Sequence, residues 1–255
     1  MTSNVGEPQL YQEAKNSVLQ HLWEKSMTSE INNFVSRNVW IPTKLEKVRK
    51  MGRKPIPVKW VFKVKDEQNG DKRLKSRVVV KGFHMIPGVD YTEKFSPVST
   101  DTSTRTILGL SMYYRDKGWV CEMFDVEAAF LESKVETECY VEWPEGISDL
   151  GFMTKEEENS TCAMLNMAMY GQVDAALLWL RTYGDYLEKE CRMKQSKVDP
   201  CIFFRKDEKT GELILILSVH VDDVIVAGKS EFVEELKIKV KERFNITDLG
   251  QLKKR

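Results

Sequence analysis

The sequence predicts an α+β fold with antiparallel strands, and three observations carry that reading. Two β-branched and aromatic stretches, Val58-Lys-Trp-Val-Phe-Lys-Val-Lys65 and Arg73-Leu-Lys-Ser-Arg-Val-Val-Val-Lys81, flank a turn containing Asn69-Gly70, the pattern of a hairpin. A second strand-like run, Ile214-Leu-Ile-Leu-Ser-Val-His-Val-Asp-Asp-Val-Ile-Val-Ala-Gly228, is apolar except around one acidic pair. Segments with apolar residues at three- and four-residue spacing lie between and around the strands, so helices and strands are mixed rather than strictly alternating.

In chain order, residues 9–38 read as helical, with Leu10, Ala14, Val18, Leu22, Met27, Ile31 and Phe34 on one face. Thr28 is the expected N-cap of a second helix there. Pro55 and Pro57 then punctuate the chain before the hairpin, whose turn is expected over Asp66–Asp71. Ser103 is the expected cap of a helix running to about Arg115. Trp119 to Asp125 reads as a strand, Val126 to Leu131 as a turn into a short helix, and Tyr140 to Trp143 as a short strand ended by Pro144. Gly146 to Ser160 is polar and acidic, which predicts a surface insertion. Residues 172–193 read as a helix, Cys201 to Phe204 and Leu213 to Val221 as strands across a turn at Thr210-Gly211, and Glu231 to Phe244 as an amphipathic helix.

The chain of 255 residues is long enough for a sizeable core. No apolar stretch reaches the ~18 residues needed to span a bilayer, and the N-terminus carries no secretory pattern, so a soluble cytoplasmic protein with no membrane partner is expected. Five cysteines without Cys-x-x-Cys spacing, beside only three histidines, fit free thiols rather than a zinc site. Net charge is zero but unevenly spread: Lys44 to Lys81 holds fourteen Lys and Arg against four Asp and Glu. A basic stretch joined to an acidic remainder suggests a polyanion-binding part beside a cation-holding part; a solvated hairpin face is the plainer alternative.

Asp222 and Asp223 stand in the middle of the second apolar run. Unpaired carboxylates in a strand core are costly, so the pair needs water, as a hairpin turn would give, or cations. Asp125 ends another apolar strand, where an N-cap is its simpler account. If the Asp125 strand pairs with the one ending at Asp222, three carboxylates converge on one sheet edge. Two Mg²⁺ ions ~3.5–4 Å apart need such an oxygen cluster. The order strand-Asp, a long interval, then strand-Asp-Asp, is that of palm-type nucleotidyl transferases.

The chain resembles the reverse transcriptase of copia-type LTR retrotransposons. The matching stretches include Trp60-Val-Phe-Lys-Val-Lys65, Lys75-Ser-Arg-Val-Val-Val-Lys-Gly-Phe83, Gly88-Val-Asp-Tyr-Thr-Glu-Lys-Phe-Ser-Pro-Val98, Phe124-Asp-Val-Glu-Ala-Ala-Phe-Leu131, Tyr140-Val-Glu-Trp-Pro-Glu-Gly146, Asp199-Pro-Cys-Ile-Phe203 and Val219-His-Val-Asp-Asp-Val-Ile-Val-Ala-Gly228. The resemblance covers about residues 13–250 in family order. It implies a right-hand polymerase fold: residues 1–40 a helical lead into the fingers, 41–120 fingers with the basic hairpin, and 121–255 a palm with an antiparallel sheet, ending before the thumb. It implies RNA-directed DNA polymerase activity: dNTP is joined to a primer 3′-hydroxyl on an RNA or DNA template, using two Mg²⁺ ions or Mn²⁺. The setting implied is a retroelement polyprotein, in cytoplasmic particles. Asp125, Asp222 and Asp223 would be catalytic and hold the metal. Lys75, Arg77, Phe130 and Gln172 would contact the nucleotide, with Phe130 under the sugar excluding a 2′-hydroxyl. Lys63, Lys65 and His220 would contact template or primer.

Two departures accompany the match. The family's Tyr-Gly-Leu-Lys-Gln-Ala-Pro is Tyr170-Gly-Gln-Val-Asp-Ala-Ala176 here, so Asp174 takes the glutamine position and Gln172 lies two residues earlier. The tyrosine often found two residues before the aspartate pair is His220. With the thumb also beyond the sequence, a catalytically inactive remnant that at most binds nucleic acid is the alternative expectation.

Overall fold

A computed structural model describes residues 6–66 and 72–252. The expected Asn69-Gly70 turn lies outside the described residues. The fold is mixed α and β with antiparallel sheets, as the sequence predicts. It divides into two compact units, Met1–Lys94 with Phe130–Ala175, and Phe95–Ala129 with Ala176–Arg255. Among the described residues no helix is long and apolar enough to cross a membrane.

The first unit begins with helices α1 (Tyr11–Lys15) and α2 (Gln20–Ser36). Helix α2 is continuous through Thr28, which is therefore interior and not a cap: Trp23, Met27, Glu30, Ile31 and Phe34 keep one buried stripe across it. Strand β1 (Trp40–Lys44), helix α3 (Leu45–Lys50) and the hairpin β2 (Val58–Asp66) and β3 (Lys72–Val80) follow. Trp23 meets the Phe62 ring edge-on at 5.2 Å, fastening α2 to the apolar face of the hairpin. Strands β5 (Tyr140–Val141) and β6 (Thr161–Leu165) complete a three-stranded sheet ordered β1-β6-β5. Pro42 is tolerated in β1 because that strand is an edge. The expected surface insertion is only partly one. Helix α5 (Lys155–Ser160) is exposed behind a Thr154–Glu157 capping box, but Ile147 is fully buried. The Tyr11 ring lies so close to Gly146 that a Cβ there would fall 2.1 Å from it.

The second unit is built on six antiparallel strands: β4 (Trp119–Val126), β7 (Lys194–Gln195), β8 (Ile202–Lys206), β9 (Leu213–His220), β10 (Asp223–Lys229) and β11 (Ile246–Gln251). Their order is β11-β4-β10-β9-β8-β7. Helix α4 (Asp101–Tyr113) covers one face through Ile107, against Trp119, Cys121, Ile202 and Ala227. Its cap is Thr100, whose hydroxyl oxygen accepts from the Ser103 N–H at 3.1 Å; Ser103, the expected cap, instead donates to Asp199 at 2.5 Å. Helices α6 (Ala175–Lys189) and α7 (Ser230–Arg243) supply the remaining helical surface. Trp179 and Tyr183 stack at 4.9 Å, and Phe244 meets both edge-on. Buried Lys237 on α7 bridges Glu122 of β4 at 2.7 Å and Asp248 of β11 at 2.5 Å, tying helix to sheet.

The cysteines are all free and buried. Burial pushes the Cys139 thiol up to about 12, and those of Cys162, Cys191 and Cys201 up to about 11, so none is poised as a nucleophile.

Candidate active site

The second unit brings the predicted carboxylates together by strand pairing. Asp125 on β4 lies directly opposite Asp223 on β10. The pairing partner differs from the expected one: β4 pairs with the strand that starts at Asp223, not with β9, which ends at His220. The Val126 N–H donates to the Asp222 carbonyl at 2.8 Å, just outside the pair. That bond makes 125/223 a non-hydrogen-bonded pair, the antiparallel type in which side chains stand closest, with Cα atoms ~4.5 Å apart. Asp223 also faces His220 on β9, and Asp125 faces Thr247 on β11. His220, Asp223, Asp125 and Thr247 therefore form one cross-strand row on one face. On the other face the next residues, Phe124, Val224 and Val219, are buried core.

The bend between β9 and β10 is Val221-Asp222, so the two-residue turn is displaced by one residue from the aspartate pair itself. Val221 has φ +58°, in the left-handed region that a β-branched side chain rarely enters, while Asp222 does not. This is the pattern of a type II′ hairpin turn, which normally puts glycine at the first place. The strained backbone is held from two sides: the Trp179 indole N–H donates to the Val221 carbonyl at 2.6 Å, and Val126 holds the Asp222 carbonyl. Asp222 is thereby exposed at the tip, beside the row.

Two carboxylates directly opposite each other repel, and such like-charge pairs are destabilising unless a cation intervenes. Carboxylate oxygens suit a hard divalent cation such as Mg²⁺. The donor chemistry fits, though among the described residues no three Asp, Glu, His or Cys side chains are already drawn together as a closed metal cage. Sequence reasoning missed Trp179 as the anchor of the turn: with Ala175 it is part of the family resemblance, and it falls within the helix expected over residues 172–193, but neither gives it this contact.

The first unit carries the other predicted residues. The β2–β3 register pairs Lys65 with Arg73, Lys63 with Lys75 and Val61 with Arg77. Strand alternation puts all five cations on one face, opposite Trp60 and Phe62. Lys63 is exposed and pairs with Glu7 at 2.6 Å. Lys75 is partly buried; desolvation first, then its neighbours Arg77 and Lys65, holds its ammonium below the usual lysine range. The Arg77 guanidinium lies over the Tyr170 ring at 5.3 Å, and Phe130 meets that ring edge-on at 5.8 Å.

The Tyr170–Asp174 segment is fixed by close packing. Gly171 has φ +81°, and a Cβ there would lie 2.3 Å from the Val80 carbonyl oxygen. Gln172 is buried: its amide oxygen accepts from the Met169 N–H at 3.1 Å and its amide NH₂ donates to Asp174 at 2.9 Å. The side chain expected at the nucleotide is thus engaged within the turn. Asp174 is buried too, so this acid does not face outward.

A residue the sequence reading passed over lies behind the basic face. Glu30 of α2 is buried, one of its oxygens has no hydrogen-bond partner, and burial raises its carboxyl to about 7 despite Arg77, Lys75 and Arg37 nearby. Its place on the apolar stripe of α2 was the only signal, and that stripe read as core.

The family described as reverse transcriptase (RNA-dependent DNA polymerase) matches residues 39–255. The chain is 32% identical over 254 residues to the retrovirus-related Pol polyprotein from transposon TNT 1-94 of Nicotiana tabacum, covering 98% of this chain and 18% of that relative. It is 30% identical over 234 residues to the corresponding polyprotein from transposon RE1 of Arabidopsis thaliana, covering 90% of this chain and 15% of the relative. It is 24% identical over 200 residues to the truncated transposon Ty1-A Gag-Pol polyprotein of Saccharomyces cerevisiae, covering 78% and 15%. The chain spans less than a fifth of the length of these relatives.

Proposed function

The chain belongs to the reverse transcriptase (RNA-dependent DNA polymerase) family, in its copia-type branch, and from that premise we propose that it joins dNTPs to a primer 3′-hydroxyl on an RNA or DNA template. The observation that carries this reading is the close cross-strand pair of Asp125 and Asp223 beside the exposed Asp222. Facing carboxylates repel, and a divalent cation held between them removes that repulsion. Mg²⁺ held there supplies a lowered pKa for the attacking hydroxyl and a stabilising charge for the leaving phosphate oxygen. Asp125 and Asp223 offer the facing oxygens, and Asp222 offers a third carboxylate from the tip of the turn.

The second unit has the role of palm and the first that of fingers in this reading. On β3, Lys75 and Arg77 bind the triphosphate: a partly desolvated ammonium and a ring-supported guanidinium make stronger phosphate contacts than solvated ones. Lys63 and Lys65, on the same face, bind template or nucleotide phosphates. Phe130, braced by Tyr170, excludes the ribose 2′-hydroxyl. His220, in the row beside Asp223, meets the primer end. Gln172 acts indirectly, by fixing the turn that carries Tyr170. The Asp174 departure is absorbed in the same way: the acid is buried and its carboxylate accepts Gln172's amide.

Extension of a labelled oligo(dT) primer on poly(rA) with Mg²⁺ or Mn²⁺ tests the proposal. Wild type should extend the primer and Asp222→Asn should not, with unchanged circular dichroism. Comparable extension by both proteins contradicts it.

A further inference from the structure

At the other end of β9 from the carboxylate row, the second unit has an open groove of about 810 Å³. Ile214 lines it and His220 closes the far end of that strand, so about 20 Å of strand separates the two places, at ~3.3 Å per residue. Arg192, Lys194, Lys206 and Lys209 line the groove, together with the rings of Phe204 and Phe232. Among the described residues none of these four cations has a carboxylate within ion-pair distance. Three acids also line the groove: Glu235 holds Arg205 through two contacts of 3.2 and 3.0 Å, Asp207 accepts from the Lys209 and Thr210 N–H groups, and Glu208 stands beside them. Five cations, Arg205 included, against three acids leave the lining net positive.

The arrangement is not a solvated face of scattered lysines. Lys194 and Phe204 are direct cross-strand partners on β7 and β8, and Lys206 follows two residues along β8, past a register shift between Arg205 and Lys206. Phe232 lies under the Arg205 guanidinium at 4.9 Å, a planar cation layered on an aromatic ring. Cations beside an aromatic ring suit a strand that carries both phosphates and flat bases. An acidic peptide would satisfy the cations but leave Phe204 without a flat partner.

We propose that this groove is a second nucleic-acid site, which binds single-stranded RNA or DNA away from the carboxylates. Lys194, Lys206, Arg192 and Lys209 hold backbone phosphates, and Phe204 stacks a base. The proposal does not depend on the polymerase reading, because binding is measured without catalysis.

The test is a fluorescence-anisotropy titration of labelled (dT)₁₂ and (rU)₁₂ with the full chain at several salt concentrations. Both side chains to be reversed are exposed, so Lys194→Glu/Lys206→Glu should fold as wild type. Expected results are an affinity loss of about tenfold or more and a salt slope shallower by about 1.4, the value for two phosphate contacts on a single strand. Phe204→Ala should weaken binding several-fold with the slope unchanged. Lys25→Glu on α2 with Lys241→Glu on α7, both exposed and outside the groove and the basic stretch, makes the same change in net charge and should leave both quantities near wild type. Preference for RNA or DNA identifies which strand the groove takes; either supports the site. Three outcomes overturn it: groove variants that bind like wild type, loss only in Lys75→Glu/Arg77→Glu, and poly-glutamate competing as well as (dT)₁₂.

Discussion

Asp125 and Asp223 face each other across β4 and β10 as a non-hydrogen-bonded pair, the closest side-chain approach an antiparallel sheet provides. Like charges in such a pair repel each other. Asp223→Asn should therefore raise the unfolding free energy obtained from urea titration in metal-free buffer by about 0.2–1 kcal/mol, moving the midpoint upward. The same substitution should remove the further stabilisation that Mg²⁺ gives the wild type, since a ligand stabilises only the state that binds it. A midpoint lowered by the substitution in EDTA would contradict the arrangement.

The Val221 backbone is the second strained feature. Left-handed φ costs a non-glycine residue ~1–2 kcal/mol, and glycine gives back ~0.5–1 kcal/mol in chain entropy. Val221→Gly should thus leave stability unchanged or raise it by up to about 1.5 kcal/mol. Equilibrium unfolding checks this; a loss above 1 kcal/mol would mean the valine side chain contributes packing that outweighs the strain.

Glu30 makes stability depend on pH. Its folded-state carboxyl is raised from 4.5 to about 7, so the folded state holds the proton more tightly than the unfolded state. Stability from this group is present below pH 4.5, falls as pH rises towards 7, and stays low above it. The full loss is at most on the order of 3 kcal/mol. Glu30→Gln should remove that slope and stabilise the protein at pH 8; unfolding midpoints at pH 5 and pH 8 that shift equally in both proteins would rule it out.

Gly171→Ala should be costly, because a Cβ would lie 2.3 Å from the Val80 carbonyl oxygen at φ +81°. Backbone strain alone accounts for ~1–3 kcal/mol. Since Tyr170 supports both Arg77 and Phe130, the variant should also weaken dNTP binding. Thermal unfolding together with a dNTP titration separates the two effects, and a fully stable Ala variant would refute the close approach.

Much of this architecture was legible in the chain. The β2–β3 hairpin and β9 announced themselves by alternation and by an unbroken apolar run. Asp125 and Asp222-Asp223 stood out because carboxylates at the ends of apolar strands are expensive. Other features were set by tertiary contacts. The cap of α4 moved from Ser103 to Thr100 because Asp199, distant in sequence, recruited the Ser103 hydroxyl. Thr28 did not start a helix because the buried stripe of α2 runs through it. The bend fell on Val221-Asp222 through its hydrogen bonds to Val126 and Trp179, which no local propensity encodes. The inward placement of Gln172 likewise depends on the Gly171–Val80 contact and not on its own neighbours in sequence.

The central claim, that the facing carboxylates are a divalent-metal site, is tested most directly by Mn²⁺ titration followed by electron paramagnetic resonance. The protein should carry template–primer and a non-hydrolysable dNTP analogue. Wild type should bind two Mn²⁺ ions per chain, and Asp125→Asn, Asp222→Asn and Asp223→Asn should each weaken or lose at least one. Equal stoichiometry and affinity in wild type and all three variants would contradict the account.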